Sequence, residues 1–490
     1  MQTEGLYNQG LAAYGGGATS TIMHPVAAVA MCIGVVCLLV LPRKYAVAAF
    51  LSVVLLLPPG QELYLAGVHV YAFRILILAG WGRMLWSKFL GKGRICAGGV
   101  TVIDKVFLGW AIFHAVAGIL LNGGASGAII NQVGFLWDAI GAFFLLRFLI
   151  QDEESVTTVI KTIAGLIFVI SMTMLYEKFH DLNIYGYLGS TTLLPDIREG
   201  AIRARGPFAH AILAGVFGAT MLPLCFWLWH SRKSRLAAVG GVIGCLIMVV
   251  TAASSTSLLA CGAVLLGCCM WVLRKHMRAI RWGIVAVLVG LEIVMKAPVW
   301  FVISHVNIVP GNSSYHRAML IDMFVRHIGD WWLVGTNDAK NWGWDMWDLS
   351  NQFVDEGESG GLATFVCFIL LVSWSFGLIG KARKAVEGDR KKEWFYWFLG
   401  VALFAHVMGF FGISYFDQTK FTWYAFLAII AVSTSWVLAP KHAEETPAVE
   451  LTHPATTISS PGYAHARRPE VEVRGRLKPG PSYARKLKET

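Results

Sequence analysis

Residues 209–229 read AHAILAGVFGATMLPLCFWLW, an apolar stretch without a single Asp, Glu, Lys or Arg. Crossing a bilayer takes roughly 20 mostly apolar residues in a helix, because a helix satisfies its own backbone polar groups where there is no water. The stretch therefore predicts a membrane-spanning helix. Twelve similar stretches lie on either side of it, at 24–41, 44–58, 68–86, 106–121, 128–149, 157–176, 236–253, 256–273, 281–300, 360–380, 394–413 and 420–438.

The composition of the chain agrees with this pattern. Its 490 residues are 56% hydrophobic and only 14% charged, which excludes an ordinary soluble domain. We expect an all-α, polytopic integral membrane protein with about 13 transmembrane helices, or about 12 if the short stretch 44–58 does not span. Residues 1–23 would form an outer N-terminal segment and 24–440 the transmembrane domain. Residues 441–490, rich in Pro, Ser, Thr and charged residues, would form a disordered tail.

The loops between the apolar stretches differ in charge. Basic residues fall in alternate loops, at Arg43–Lys44, Arg83–Arg94, Arg147, Arg232–Arg235, Arg274–Arg281 and Lys381–Lys392. Alternate threading of the spans brings these clusters to one side, which the positive-inside rule assigns to the cytoplasm. We therefore expect the N-terminus outside and the C-terminus in the cytoplasm. The same rule explains the net charge of +11 without a nucleic-acid partner.

Two outward segments, 177–208 and 301–359, are too long to be simple turns. The first ends in Arg203-Ala-Arg-Gly-Pro-Phe208, directly before the seventh predicted span. Pro207 suits the first turn of that helix, and two guanidinium groups beside a helix N-terminus favour an anion, above all phosphate. The alternative is that both arginines anchor the helix among lipid headgroups, although positive residues are disfavoured on the outer face.

The second outward segment begins with a predicted helix from Tyr315 to His327, with His316 and Arg317 in its first turn. Apolar residues, Phe324 among them, recur at helical spacing, so the helix is expected to lie on the outer membrane surface. A cation in a first turn opposes the helix dipole, so an external anion would explain Arg317 better than the helix itself does. Arginines in first turns are nevertheless common in helices without a special role.

Aromatic, amide and acidic residues gather in the rest of this segment, among them Trp342, Trp344, Asp348, Asn351 and Glu356. Such side chains suit a sugar, because its ring stacks on aromatic faces and its hydroxyls bind amides and carboxylates. A carboxylate at a dry membrane margin would also have a raised pKa, which suits a general base. The competing interpretation is a solvated acidic surface, and it holds for most of these carboxylates.

Other chemistries find no support in the sequence. It has no GxxxxGK[ST] phosphate loop, no HExxH motif and no spaced His/Cys cluster, so no metal or other cofactor is expected. The nine cysteines are interpreted as small packing residues. Ionisable residues within the spans are sparse and scattered, which does not favour an ion-coupled transporter; the main ones are Arg74, His114, Asp138, Lys161, His210, Glu292 and His406.

Over roughly residues 150–430 the chain resembles the O-antigen ligase and polymerase family of bacterial surface-polysaccharide assembly. Arg203-Ala-Arg-Gly-Pro-Phe208 is similar to the family's R-x-x-G-x-F element. Ser314-Tyr-His-Arg317, followed by Gly335, resembles its loop element with an arginine and then a glycine. The run from Asn351 to Gly361 (NQFVDEGESGG) resembles H-N-x-x-L…G-x-x-G. One position departs from the pattern, since Ser350 stands where ligases typically carry His.

The resemblance implies a GT-C-like helical fold in the bacterial inner membrane. It also implies glycosyl transfer from an undecaprenyl-diphosphate-linked donor to a glycan or lipid acceptor, without a metal or cofactor. The diphosphate would be bound by Arg203, Arg205 and Arg317. Arg317 is the catalytic candidate that would stabilise the developing charge. Because Ser350 cannot readily act as the base, the candidates for that role are His316, Asp348 and Glu356. The sugar would be bound by Trp342, Trp344 and Asn351.

Two functions of other classes stay open. A transporter or flippase for a lipid-linked oligosaccharide would share the outer loops and the lipid partner but would need a polar path through the membrane. A non-catalytic scaffold of a polysaccharide export complex would use the basic tail as its docking element.

Overall fold

The computed structural model describes residues 23–65, 68–91, 95–189, 191–305, 314–346 and 350–438. Most of the predicted N-terminal segment and the whole predicted tail lie outside the described residues, as does the candidate base Asp348. Predictions that fall on those positions therefore stay predictions.

Helices make up most of the described chain, as the all-α prediction requires. In chain order the α-helices are α1 Pro25–Val40, α2 Arg43–Leu56, α3 Ala72–Phe89, α4 Val102–Leu121, α5 Ser126–Leu136, α6 Ala142–Leu149, α7 Glu153–His180, α8 Ala211–Leu228, α9 Arg235–Thr251, α10 Ser255–Cys269, α11 Met277–Val294, α12 Ser314–Arg326, α13 Ile328–Trp331, α14 Gln352–Ala385, α15 Arg390–Phe410 and α16 Gln418–Leu438. A π-helical turn, Trp137–Gly141, joins α5 to α6. Short 3-10 helices occupy Ile184–Leu188, Arg232–Ser234, Met270–His276, Val299–His305 and Ala339–Asn341.

Strands are confined, in the described ranges, to two small antiparallel hairpins. The first pairs β1 (Glu62–Leu65) with β2 (Val68–Tyr71). The second pairs β3 (Asp196–Arg198) with β4 (Ala201–Arg203), and its register sets Asp196 opposite Arg203. The second hairpin positions the first arginine of the R-A-R-G-P-F element.

Nine helical segments in the described part of the chain are long and apolar enough to cross a membrane: Val102–Leu121, Ser126–Leu149, Glu153–His180, Ala211–Leu228, Arg232–Thr251, Ser255–Val294, Gln352–Ala385, Arg390–Phe410 and Gln418–Leu438. Large apolar side chains stay exposed on the outer helices; Leu120, Val250 and Ile293 are 60%, 69% and 78% exposed. Apolar surface on this scale is unfavourable in water and suits lipid. The protein is an all-α membrane protein.

The predicted number of about thirteen spans is not reproduced by these nine segments. Helices α1 and α2 have 16 and 14 residues, and a 14-residue helix is about 21 Å long against a bilayer core of about 30 Å. Pro42 separates these two helices, and Pro58 follows the second. The predicted stretch 68–86 was wrong at its start, because Val68–Tyr71 forms a strand. The stretches 256–273 and 281–300 fall largely in one helical run, Ser255–Val294.

Helices α8 and α16 form the centre of the packed helices. Every residue from Gln418 to Ser435 except Lys420 is buried, and nearly every residue of α8 is buried as well. A helix that is apolar on all sides has no face suited to water, so the other helices surround these two. The buried positions of α8 include Pro223, and the helix continues through it without interruption.

Basic side chains from distant loops meet at one end of the helices, which we call the basic end. Lys44 Nζ lies 2.7 Å from Glu154 Oε1 at the start of α7. The first turn of α7 and Lys391 line a common cavity of about 700 Å³. Two residues after Lys391 in α15, Glu393 Oε1 lies 3.0 Å from Arg274 Nε. The helices thus arrange these basic loops on one side, and the assignment of that side to the cytoplasm stays a prediction.

Candidate functional site

The first predicted element, with Arg203, is held by the β3–β4 hairpin. Arg203 Nη1 donates to Asp196 Oδ2 across the hairpin at 3.0 Å. The Arg203 side chain is 7% exposed and the Asp196 side chain 43% exposed, so the cation is covered and its partner lies at the surface. Burial lowers the pKa of Arg203, and the neighbouring Asp196 partly offsets that effect. A buried cation of this kind interacts strongly with any anion that reaches it.

Arg205 lies two residues on, in a loop that Glu177 fixes from the end of α7. The backbone N–H groups of Arg205 and Gly206 donate to Glu177 Oε2 at 3.1 and 2.8 Å. The Arg205 guanidinium donates to the hydroxyl of Thr192 and, at 3.4 Å, to the carbonyl of Leu194. Gly206 has φ of +56°, a left-handed conformation that favours glycine. The conformation of the element is therefore set by contacts that sequence patterns do not reveal.

The structure corrects the expected start of the following helix. Helix α8 begins at Ala211 and not at Pro207, and His210 is its N-cap, with Nδ1 accepting from the N–H of Ile212 at 3.1 Å. Burial, and next the charge of Arg203, lower the pKa of His210 to about 4. The imidazole is thus neutral at physiological pH and lies within electrostatic range of both arginines. Sequence reasoning grouped His210 with the residues inside spans and did not assign it to the site.

The second predicted element, with Arg317, reaches the same turn of the chain as the first. Arg317 lies in the first turn of α12, and its Nη2 donates to Thr256 Oγ1, at the start of α10, at 2.9 Å. The N–H of Ala204, between the two arginines of the first element, donates to the carbonyl of Thr251, at the end of α9, at 3.0 Å. The short α9–α10 turn, 251–256, therefore contacts both arginine-bearing elements. Their separation of more than a hundred residues in sequence is bridged by this turn.

The third element opens α14, and Asn351 is its N-cap. Asn351 Oδ1 accepts from the N–H groups of Phe353 and Val354 at 2.9 and 3.3 Å. Its Nδ2 and the hydroxyl of Ser350 are buried and find no hydrogen-bond partner among the described residues. Capping therefore uses the amide oxygen of Asn351, and its predicted role in sugar binding depends on the amide nitrogen.

Glu356 is fully engaged within the protein. It is 2% exposed, and its two oxygens accept from Trp110 Nε1 on α4 at 2.6 Å and from Gln352 Nε2 at 2.8 Å. Gln352 Oε1 in turn accepts from the N–H of Tyr415 at 2.5 Å. These contacts make Glu356 a clamp between α4 and α14. His316, which is half-buried beside Arg317, is the more accessible of the two described candidates for the base.

The two predicted sugar-stacking tryptophans lie in different surroundings. Trp342 is 7% exposed; its ring stacks on His327 at 5.2 Å, and its Nε1 donates to Asp330 Oδ2 at 3.2 Å. It belongs to a small apolar core within the outer segment that also contains Phe324. Trp344 is 91% exposed and is the one with a free ring face. The apolar face of α12 thus packs in part inside this loop core, and its predicted position on the membrane surface stays a prediction.

A joint between residues 332–336 and α14 explains why glycine stands at Gly335 and Gly361, two positions of the family motifs. Gly361 has φ of +69° and breaks α14, and the N–H of Leu362 donates to the carbonyl of Trp332 at 2.9 Å. The carbonyl of Glu358 accepts instead from the N–H of Thr336 at 2.8 Å. The segment after α13 thus supplies the hydrogen bonds that the broken helix has lost. Gly335 has φ of +89°, and a Cβ there would overlap the Glu358 carbonyl oxygen.

No protein-family model matches this chain, and no curated protein matches it. Function must therefore be argued from the residues and their geometry.

Proposed function

We propose that this protein is a membrane glycosyltransferase of bacterial surface-polysaccharide assembly, of the O-antigen ligase or polymerase type. It would take glycan from an undecaprenyl-diphosphate-linked donor at the outer face of the inner membrane. The acceptor would be a second glycan or a lipid, and the fold would be GT-C-like.

The observation that carries this proposal is the meeting of both arginine-bearing elements at the 251–256 turn. Arg203 and Arg317 are 6% and 8% exposed, so the guanidiniums are held in covered positions. They lie away from the basic end, where the positive-inside rule gives no reason to expect arginine. Two covered guanidinium groups on elements that contact the same turn, with a third on Arg205, would suit the two phosphates of a diphosphate.

The chemistry follows from that arrangement. The acceptor hydroxyl attacks the anomeric carbon of the donor sugar, and a new glycosidic C–O bond forms as the bond to the diphosphate breaks. Arg203, Arg205 and Arg317 stabilise the negative charge on the departing undecaprenyl diphosphate. The proton of the acceptor passes to a base, for which His316 has the accessibility that Glu356 lacks. No metal or nucleotide takes part in these steps.

The test uses cells whose surface polysaccharide depends on this chain. Arg317→Ala should abolish polymer while the protein stays inserted and abundant. Arg326→Ala, on the same helix, is the matched control, because that side chain is 64% exposed and its partner Asp322 keeps a second donor in Trp300. Normal polymer in Arg317→Ala would remove this arginine from the mechanism. Equal loss in both variants would indicate damage to α12 and not to diphosphate binding.

A further inference from the structure

A separate cavity of about 220 Å³ lies between the starts of α3 and α16, at the opposite end of the helices from the basic end. Since one water occupies about 30 Å³ of liquid, the cavity has room for roughly seven waters, or for one monosaccharide-sized group. The polar residues of its wall include Gln61, Tyr71, Arg74, Asn131, Asp138 and Lys420. None of them belongs to the arginine elements described above.

Two cations of this cavity, Arg74 and Lys420, lie close to a single carboxylate. Arg74 binds Asp138 through two hydrogen bonds of 2.8 and 3.1 Å, and Lys420 Nζ lies 3.5 Å from the same carboxylate. Among the described residues, Asp138 is the one carboxylate within 4.0 Å of either cation. A further acid, Asp417, also lines the cavity; burial raises the pKa of its carboxyl, and Lys420 partly offsets that effect. One carboxylate is thus shared by two cations at the wall of a cavity.

Local backbone structure places that carboxylate. Asp138 lies in the π-helical turn Trp137–Gly141, a distortion that often marks functional positions in helices. The turn is fixed from outside, because Trp81 Nε1 donates to the carbonyl of Gly141 at 2.9 Å. Arg74 and Asp138 were interpreted from the sequence as scattered residues, whereas in space they form one cluster with Lys420.

The cavity borders the candidate functional site on two sides. Gln418, in its wall, donates through Nε2 to the carbonyl of Pro207 at 2.8 Å, just after the paired arginines. Phe135, also in the wall, packs edge-on against Trp110 at 5.6 Å. Trp110 is the residue that donates to Glu356. A ligand in the cavity would therefore lie one side chain, Gln418, away from Pro207 and two side chains, Phe135 and Trp110, away from Glu356.

We propose that this cavity is a second ligand site, which binds an anionic oxygen group on a monosaccharide-sized unit. The anionic group would accept hydrogen bonds from Lys420 and from the outer edge of Arg74, and the amide of Asn131, also in the wall, would bind a hydroxyl. A carboxylate on an acidic sugar and a phosphate share this chemistry. The site is independent of glycosyl transfer, because binding there can be measured without turnover.

The experiment titrates purified full-length protein in nanodiscs with glucuronate, inorganic phosphate and glucose by saturation-transfer NMR. We expect glucuronate or phosphate to bind at least about tenfold more tightly than glucose, since charge-assisted hydrogen bonds exceed neutral ones by about 1.4 kcal/mol or more. Preference for glucuronate would identify an acidic sugar, and preference for phosphate would identify a phosphate group. Equal binding of glucose, or no binding of either anion, would overturn the proposal.

Two variants with opposite expected effects separate binding from misfolding. Lys420→Met should weaken anion binding at least about tenfold, because it removes a cation and keeps the length of the side chain. Asp138→Asn should strengthen anion binding, because it removes the competing carboxylate, and a merely damaged protein would not bind more tightly. Lys88→Met, at the other end of α3, changes net charge equally and should bind as the wild type does. Equal weakening in Lys88→Met and Lys420→Met would overturn the assignment.

Discussion

Replacing Gly335 with alanine should loosen the joint between the outer segment and α14. Gly335 has φ of +89°, and the added Cβ would overlap the carbonyl oxygen of Glu358. A left-handed conformation costs a non-glycine residue roughly 1–2 kcal/mol. Displacing the Glu358 carbonyl from the N–H of Thr336, now 2.8 Å away, leaves a buried group unsatisfied at roughly 1–3 kcal/mol more. The expected destabilisation of the joint is therefore about 2–5 kcal/mol.

Hydrogen exchange of the amides in 328–336 and around Leu362 measures this effect directly. A loss of about 2 kcal/mol raises the open population about 30-fold, so protection should fall by at least that factor. Gly329→Ala is the matched control, because a Cβ there meets nothing within 4 Å and the residue lies in helix α13. Its protection should be unchanged or slightly increased. Unchanged exchange in Gly335→Ala would refute the joint.

Three further predictions test other parts of the structure. Arg147→Met should destabilise the protein by about 3–5 kcal/mol, because it strands the Asp104 carboxylate of an ion pair whose members are 0% and 1% exposed. Lys44→Met, which breaks an ion pair at the protein surface, should lower stability far less in the same thermal unfolding. Trp110→Phe removes one of the two hydrogen-bond donors to Glu356. If Glu356 serves to hold α4 against α14, turnover and thermal stability should fall together. Loss of turnover at full stability would instead indicate that Glu356 is the general base. In the folded protein the pKa of His210 is lowered from 6.5 to about 4, so the unfolded chain binds an extra proton and stability should fall as pH drops from about 6.5 towards 4. His210→Asn keeps an N-cap acceptor and should remove this pH dependence of stability. A pH dependence that persists in the variant would assign the effect to other groups.

Hydropathy was sufficient for the long apolar helices, because the signal for each lies within its own residues. The predicted stretch 209–229 became Ala211–Leu228, and 420–438 became Gln418–Leu438. Hydropathy failed near the N-terminus, where the mostly apolar residues Val68–Tyr71 pair as a strand. Hydropathy does not register pairing between neighbouring strands, so a short hairpin and the start of a helix look alike in it.

The candidate site could be predicted in its parts but not in its assembly. Arg203 and Arg317 stood out as outward arginines without a local reason to be there. That both elements meet the 251–256 turn depends on Thr251 and Thr256, whose roles are set entirely by tertiary contacts. The burial of Glu356 was equally hidden, because its partner Trp110 lies far away in the chain.

The most direct test of the proposed glycosyl transfer is the release of undecaprenyl diphosphate by reconstituted protein given an undecaprenyl-diphosphate-linked oligosaccharide. The wild type and an Arg198→Ala control, on the same hairpin as Arg203, should release free undecaprenyl diphosphate and form a longer or transferred glycan. Arg203→Ala and Arg317→Ala should slow release at least about a hundredfold, as removal of one charge-stabilising donor commonly does. Release at the wild-type rate in both arginine variants would contradict the proposed role of these arginines in the transfer. An intact donor moved between leaflets with no release at all would contradict a transferase and favour a transporter.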